Sequence, residues 1–171
     1  MSRRRAALAA RKLVHRIGIP HVPPVSVEIL AAKLGIEIVE RPLGRTSALL
    51  LRKEGRSICI VHQQHSSRRK RFSIAHEIGH FLLHPPREAY DLFVVARDER
   101  SSEGTYIEEI EANSFAAELL MPEEYLRNKA RLHLYLAADY EEEIKELAGL
   151  FEVSYEAMTH RLTDLGLLPS L

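Results

Sequence analysis

His76, Glu77 and His80 stand in the order His-Glu-Ile-Gly-His within the largely apolar stretch of residues 72–84. Residues four apart share one face of an α-helix, so the two imidazoles can converge on a single ion with Glu77 alongside. The intervening residues suit a buried helix, and the stretch contains no proline. The chemistry open to such a trio is metal-assisted hydrolysis. The ion activates water and a carbonyl, while Glu77 acts as base toward the water and then as acid toward the leaving amine.

A catalytic zinc usually has three protein ligands and one open position, so a third residue must join His76 and His80. Cys59 is the only cysteine, which excludes an internal disulfide and a thiolate site. The helical pattern from Tyr106 to Met121 offers Glu108, Glu109, Glu111 and Glu118. Glu109 is favoured, because Asn113 follows four residues later on the same face and can hydrogen-bond a ligand. Glu111 is the rival, since sequence does not fix the rotation of a helix. His84 continues the four-residue series, but each step advances about 6 Å along the axis, so three successive imidazoles do not close on one ion. It reads as a helix-end residue, and His62 and His65 read as surface histidines. Tyr106, Tyr125 or an arginine could stabilise an oxyanion. Two histidines and a glutamate suit Zn²⁺ best, with Mn²⁺ also admissible.

Several elements must position these groups. Residues 3–17 carry apolar positions at helical spacing, and Ser26 can cap a second helix ending near Gly35. Residues 36–40, 47–52 and 56–62 pattern as strands, the last two joined by Lys53-Glu54-Gly55, and together predict a small antiparallel sheet. Arg68-Arg69-Lys70-Arg71 lead into the metal helix against the sense of its macrodipole, and Pro85-Pro86 end it. Leu92–Val95 is a further strand candidate. After the helix of residues 106–121, residues 123–137 pattern as another, Asp139 can cap one more, and Ser154 can cap a last one ending near Gly166. The fold class is α+β, and the change to pure helix predicts a boundary near residue 125. Residues 1–125 would form the metal-site domain and residues 126–171 a helix-turn-helix-like unit.

The 171 residues are 46% hydrophobic and 28% charged, the composition of a globular protein able to bury a core. No apolar run is long enough to span a bilayer and no signal-peptide pattern follows the Arg-rich start, so a cytoplasmic location is expected. Net charge is zero, but it is unevenly placed. Residues 1–71 hold 16 Lys/Arg against 4 Asp/Glu, residues 72–138 hold 6 against 12, and residues 139–171 hold 2 against 8. The basic first third suits an acidic partner or nucleic acid, or a solvated face balanced by the rest. The acidic tail disfavours direct DNA binding by its helix-turn-helix pattern, since Glu156 and Asp164 accompany Arg161 there.

Two blocks carry a family resemblance: Arg71-Phe72-Ser73-Ile74-Ala75-His76-Glu77-Ile78-Gly79-His80 with Leu83-His84, and the segment from Glu109 to Pro122 with its Glu-x-x-Ala-Asn core. Together they resemble the ImmA/IrrE metallopeptidases over roughly residues 5–166. The resemblance implies a zincin fold, His76, His80 and Glu109 as metal ligands, and Glu77 as the catalytic residue. It also implies a protein substrate, a helix-turn-helix transcriptional repressor whose cleavage relieves repression of stress or mobile-element genes. The alternative from another class is a non-proteolytic regulator or antitoxin-like protein that binds DNA or a partner, with a structural or vestigial metal site. The intact Glu77 favours the enzyme, because a structural site has no use for a base.

Overall fold

Small residues let the first helix approach the centre of the molecule. In a computed structural model that describes residues 3–53, 55–84, 103–135 and 140–168, α1 (Arg3–Ile17) buries Ala6, Ala10, Leu13 and Val14. This stripe packs along α4 (Glu103–Leu120), and the Ser114 hydroxyl donates to the Arg3 carbonyl at 2.9 Å. α4 begins three residues before the predicted start at Tyr106. In α2 (Val27–Lys33) the predicted cap is present: the Ser26 hydroxyl accepts from the Ile29 amide. Gly35, at φ +71°, turns the chain from α2 into the sheet.

The sheet is mixed rather than antiparallel. β2 (Ala48–Lys53) and β3 (Arg56–His62) form the predicted hairpin, but β1 (Ile36–Arg41) lies parallel to β3 on its other side, giving the order β1-β3-β2. Cys59 pairs with Ile38 on one side and Leu50 on the other. The connection from β1 to β2 must step across two strand spacings, about 10 Å, which six residues bridge with ease. Local alternation marks strands but does not mark their neighbours. The continuous apolar run Ile58-Cys59-Ile60-Val61 is the trace that a central strand leaves in the sequence.

α3 (Ser67–Leu83) is capped by Ser66, whose hydroxyl accepts from the Arg69 amide. The basic run therefore lies within the first turns of α3, and three of its members have defined partners. Arg69 donates to the Ser47 hydroxyl at 3.0 Å, Lys70 pairs with Glu40 at 2.8 Å, and Arg71 donates to the Val25 carbonyl at 3.0 Å and faces Glu152 at 3.4 Å. These contacts tie α3 to the sheet and to the last helices, and offset the unfavourable position of cations at a helix start. His62 is buried, which corrects its surface reading, and its ring stacks at 4.5 Å on that of the partly exposed His65. Leu92–Val95, Pro85-Pro86 and Asp139 lie outside the described residues.

α5 (Glu123–Tyr135), α6 (Tyr140–Phe151) and α7 (Tyr155–Asp164) complete seven helices among the described residues, and Ser154 caps α7 as predicted. One hydrophobic cluster runs from α1 through the sheet and α3–α4 to Phe151, Met158 and Leu162. Within it Glu118 is almost fully buried and accepts from Arg161 of α7, from Arg11 of α1 at 2.7 Å, and from the Glu123 amide. Arg161 also donates to the Met121 carbonyl at 3.1 Å. No helix among the described residues is long and apolar enough to cross a membrane. Removing one partner of a buried ion pair strands the other charge in the interior, at a cost of about 3–5 kcal/mol. Glu118→Gln is expected to lower stability by an amount of this order, read from the urea midpoint at unchanged slope.

Candidate metal centre

Two helices must come unusually close for a carboxylate on one to meet histidines on the other. Gly79 makes this possible: a Cβ placed there would lie 3.2 Å from Ala112 Cα and 3.3 Å from both the Ala112 carbonyl oxygen and Phe115 Cβ. At this crossing the Nε2 atoms of His76 and His80 are 2.9 Å apart, with ring centroids at 4.6 Å. Glu109 of α4 completes the group, its oxygens lying 3.3 Å from His76 Nε2 and 3.1 Å from His80 Nε2. The three side chains offer ligand atoms that all lie within 4.8 Å of one another. Glu109 is 42% exposed against 17% and 20% for the two histidines, so the cluster opens toward solvent on the Glu109 side.

The donor set fits a divalent cation. Zinc bonds of 2.0–2.1 Å in a tetrahedron imply ligand–ligand edges of about 3.3 Å, close to the spacings here. The Asn113 side-chain oxygen lies 3.0 Å from His76 Nδ1. An amide oxygen accepts only, so Nδ1 carries a proton, and Nε2 is the nitrogen that faces His80 and Glu109 and would ligate an ion once its own proton is released. Charge supports the same reading. Hydrogen bonds from His76 and then His80 hold the Glu109 carboxyl far below the ordinary carboxylate range. His76 is raised: burial disfavours its charged form, but the hydrogen bond to Glu109 and the charges of Glu77 and Glu109 outweigh it. The cluster therefore draws positive charge, and a metal must displace protons to enter.

Glu77 lies beside these groups on α3. Burial pushes its carboxyl above the ordinary range, against the lowering effect of His76 and His80. Arg52 of β2 also acts on Glu77, and it is a residue that the linear reading did not single out. Its guanidinium donates to the His80 carbonyl at 2.9 Å and the His84 carbonyl at 3.3 Å, and it lies 4.8 Å above the Phe81 ring. It thus closes the C-terminal end of α3, where a cation complements the macrodipole. The only trace of this in the sequence is a lone arginine on a strand, 28 residues from its partner.

Glu109 and Glu111 lie on opposite sides of the α4 face that carries Ala112, whose backbone approaches Gly79 of α3. Glu109 faces His76 and His80, whereas Glu111 is buried with its carboxylate 3.2 Å from His84 Nε2. His84 is the C-cap of α3, as a helix-end reading requires. Of the oxyanion candidates, Tyr106 is 69% exposed one turn before Glu109. Tyr125 packs its ring on Phe151 and lines a groove with Glu118, which lies nine residues beyond Glu109, about 13 Å along α4.

A family model of peptidases, the IrrE N-terminal-like domain, matches residues 31–163, in agreement with the resemblance carried by the two motif blocks. Among solved structures, a Mycobacterium tuberculosis transcriptional regulator is similar at 22% identity and a TM-score of 0.62, over 94% of this chain. The match covers 46% of the regulator, so this chain spans about half its length, and the likeness shows a shared fold. No curated protein matches the chain.

Two outcomes are expected from this packing. In Gly79→Ala, the helix-propensity gain of about 1 kcal/mol is opposed by overpacking against the α4 backbone, typically 1–3 kcal/mol. Glu109 is pushed away from the histidines, so zinc affinity in a chelator competition is expected to fall. Cys59 lies buried on the central strand, and burial followed by the charge of Glu77 pushes its thiol up to about 12. The thiol is therefore protonated at neutral pH. A disulfide reagent is expected to label the native protein at no more than a trace rate, and fully once it is unfolded in guanidinium.

Proposed function

The chain belongs to this peptidase family, and we propose from that premise that it is a metal-dependent endopeptidase that cleaves a helix-turn-helix transcriptional repressor at a specific site. The observation that carries the proposal is the convergence of His76, His80 and Glu109 at the crossing of α3 and α4, with Glu77 beside them. His76, His80 and Glu109 would hold the ion, Zn²⁺ by the preference of this donor set, with Mn²⁺ as the alternative. A bound divalent ion supplies Lewis acidity that makes water acidic near neutrality and polarises a peptide carbonyl.

The remaining work falls to the chain's own residues. Glu77 takes a proton from the attacking water at its carboxylate and passes it to the departing amide nitrogen. Burial suits it to both roles, because a carboxyl with a raised pKa holds the proton long enough to deliver it. Among the described residues β2 is an edge of the sheet, and it carries Arg52 at the C-terminal end of α3. An extended peptide paired along that edge would be held by main-chain hydrogen bonds and presented to the site.

Residues 1–125 then form the catalytic part and residues 126–171 a partner-docking unit. The acidic start of α6, Glu141 to Glu143, suits the basic DNA-facing surface of a repressor. Arg161 is buried against Glu118 and so does not face phosphate, which favours a protein over DNA as the ligand of this unit.

The test is incubation with Zn²⁺ or Mn²⁺ and the repressor encoded beside the gene. Wild type should produce two fragments of fixed mass, and Glu77→Gln should cut at a rate about 10²–10⁴-fold lower. An intact repressor that nevertheless co-elutes with the protein would favour the non-proteolytic regulator instead.

A further inference from the structure

Behind His80 the structure continues through two groups that the hydrolytic roles leave unassigned. His84 lies one turn beyond His80 on α3, and the two Nδ1 atoms are 3.0 Å apart. On its other side His84 Nε2 is 3.2 Å from Oε2 of Glu111. Both side chains are shielded from water, at 9% and 4% exposure. The proton positions follow from the far end of this chain. A carboxylate only accepts, so His84 Nε2 carries a hydrogen. The neutral ring then accepts at Nδ1, so His80 Nδ1 must donate. That leaves Nε2, the atom that faces His76 and Glu109, as the nitrogen that gives up its proton and ligates when an ion enters.

We propose that Glu111 and His84 form a positioning relay that locks His80 in its Nε2-ligating tautomer and so sets the affinity of the centre for a divalent cation. The inference rests on the metal reading of the site given under Proposed function. Three features make the relay rigid. Arg52 holds the carbonyls of both His80 and His84, fixing the backbone that carries the two rings. Glu111 sits across Ala112 from Glu109, so one helix supplies an atom to the centre on one side and anchors its histidine on the other. The ring centroids of His80 and His84 are 5.0 Å apart at a 56° tilt, a geometry that aims each Nδ1 at the other rather than stacking the rings.

The two ligating histidines are thereby supported unequally. His76 leans on the amide of Asn113, and His80 on an imidazole backed by a buried carboxylate. A charge-assisted chain orients a ligand more firmly than a neutral amide does.

The test uses the full chain, first metal-free and ¹⁵N-labelled, with long-range ¹H–¹⁵N correlation of the histidine rings, and then with Zn²⁺ in competition with a chelator. In wild type, His80 is expected to hold a proton on Nδ1. In His84→Phe, which keeps the volume, His80 should shift toward the Nε2–H tautomer and zinc affinity should fall about 10–100-fold. Glu111→Gln keeps an acceptor oxygen and should give a smaller loss with the same sign. A wild-type His80 with no proton on Nδ1 overturns the relay, as does a folded His84→Phe that binds zinc within twofold of wild type. A wild type with the Nδ1–H tautomer that binds neither Zn²⁺ nor Mn²⁺ overturns the metal reading of the site, and with it the affinity role proposed for the relay.

Discussion

The absence of a side chain at Gly79 governs the distance between the two helices on which everything else depends. With α3 and α4 in contact at Gly79 and Ala112, a glutamate side chain one turn along α4 spans the remaining gap to both imidazoles. A wider crossing would leave His76, His80 and Glu109 as three ordinary polar residues. Interiors are packed at crystal-like density, so a few tenths of an ångström at this point is a structural quantity and not slack. The cluster is thus a product of backbone approach, and its nitrogen and oxygen atoms inherit their spacing from apolar packing beneath them.

A second organising principle is the use of arginines to satisfy helix ends and a buried carboxylate. Arg52 closes α3, while Arg161 reaches from α7 to the end of α4 and Arg11 joins it on Glu118. In each case a planar, multiply donating group satisfies carbonyl or carboxylate oxygens that the fold would otherwise leave in low dielectric. The uneven charge along the sequence takes its structural meaning here. Two cations of the first third, Arg11 and Arg71, meet Glu118, Glu123 and Glu152 of the later, acidic segments, so part of the polarity of the chain is neutralised across the molecule.

Much of the site was legible because its information is local. The four-residue step from His76 to His80, the step from Glu109 to Asn113, and the caps at Ser26 and Ser154 are all helix periodicities or short-range hydrogen-bond patterns. What escaped the linear reading depends on how elements meet. The parallel pairing of β1 with β3, the partners of Arg69, Lys70 and Arg71 at the start of α3, and the contact of Arg52 with α3 each join residues that sequence periodicity does not relate. Glu109 and Glu111 could be ranked but not separated from sequence, since the choice is one of helix rotation. The structure separates them by giving each its own histidine.

The pairing of Glu118 with Arg161 also bears on how such a chain can change over generations. The two residues are 43 positions apart, yet Glu118 replaced alone leaves Arg161 enclosed without its counter-charge, and Arg161 replaced alone leaves Glu118 with only Arg11 to balance it. Drift at one position is therefore permitted only in the company of the other. The terminal helices cannot be exchanged freely for those of a relative, whatever partner they serve, unless the helix that supplies Glu109 travels with them.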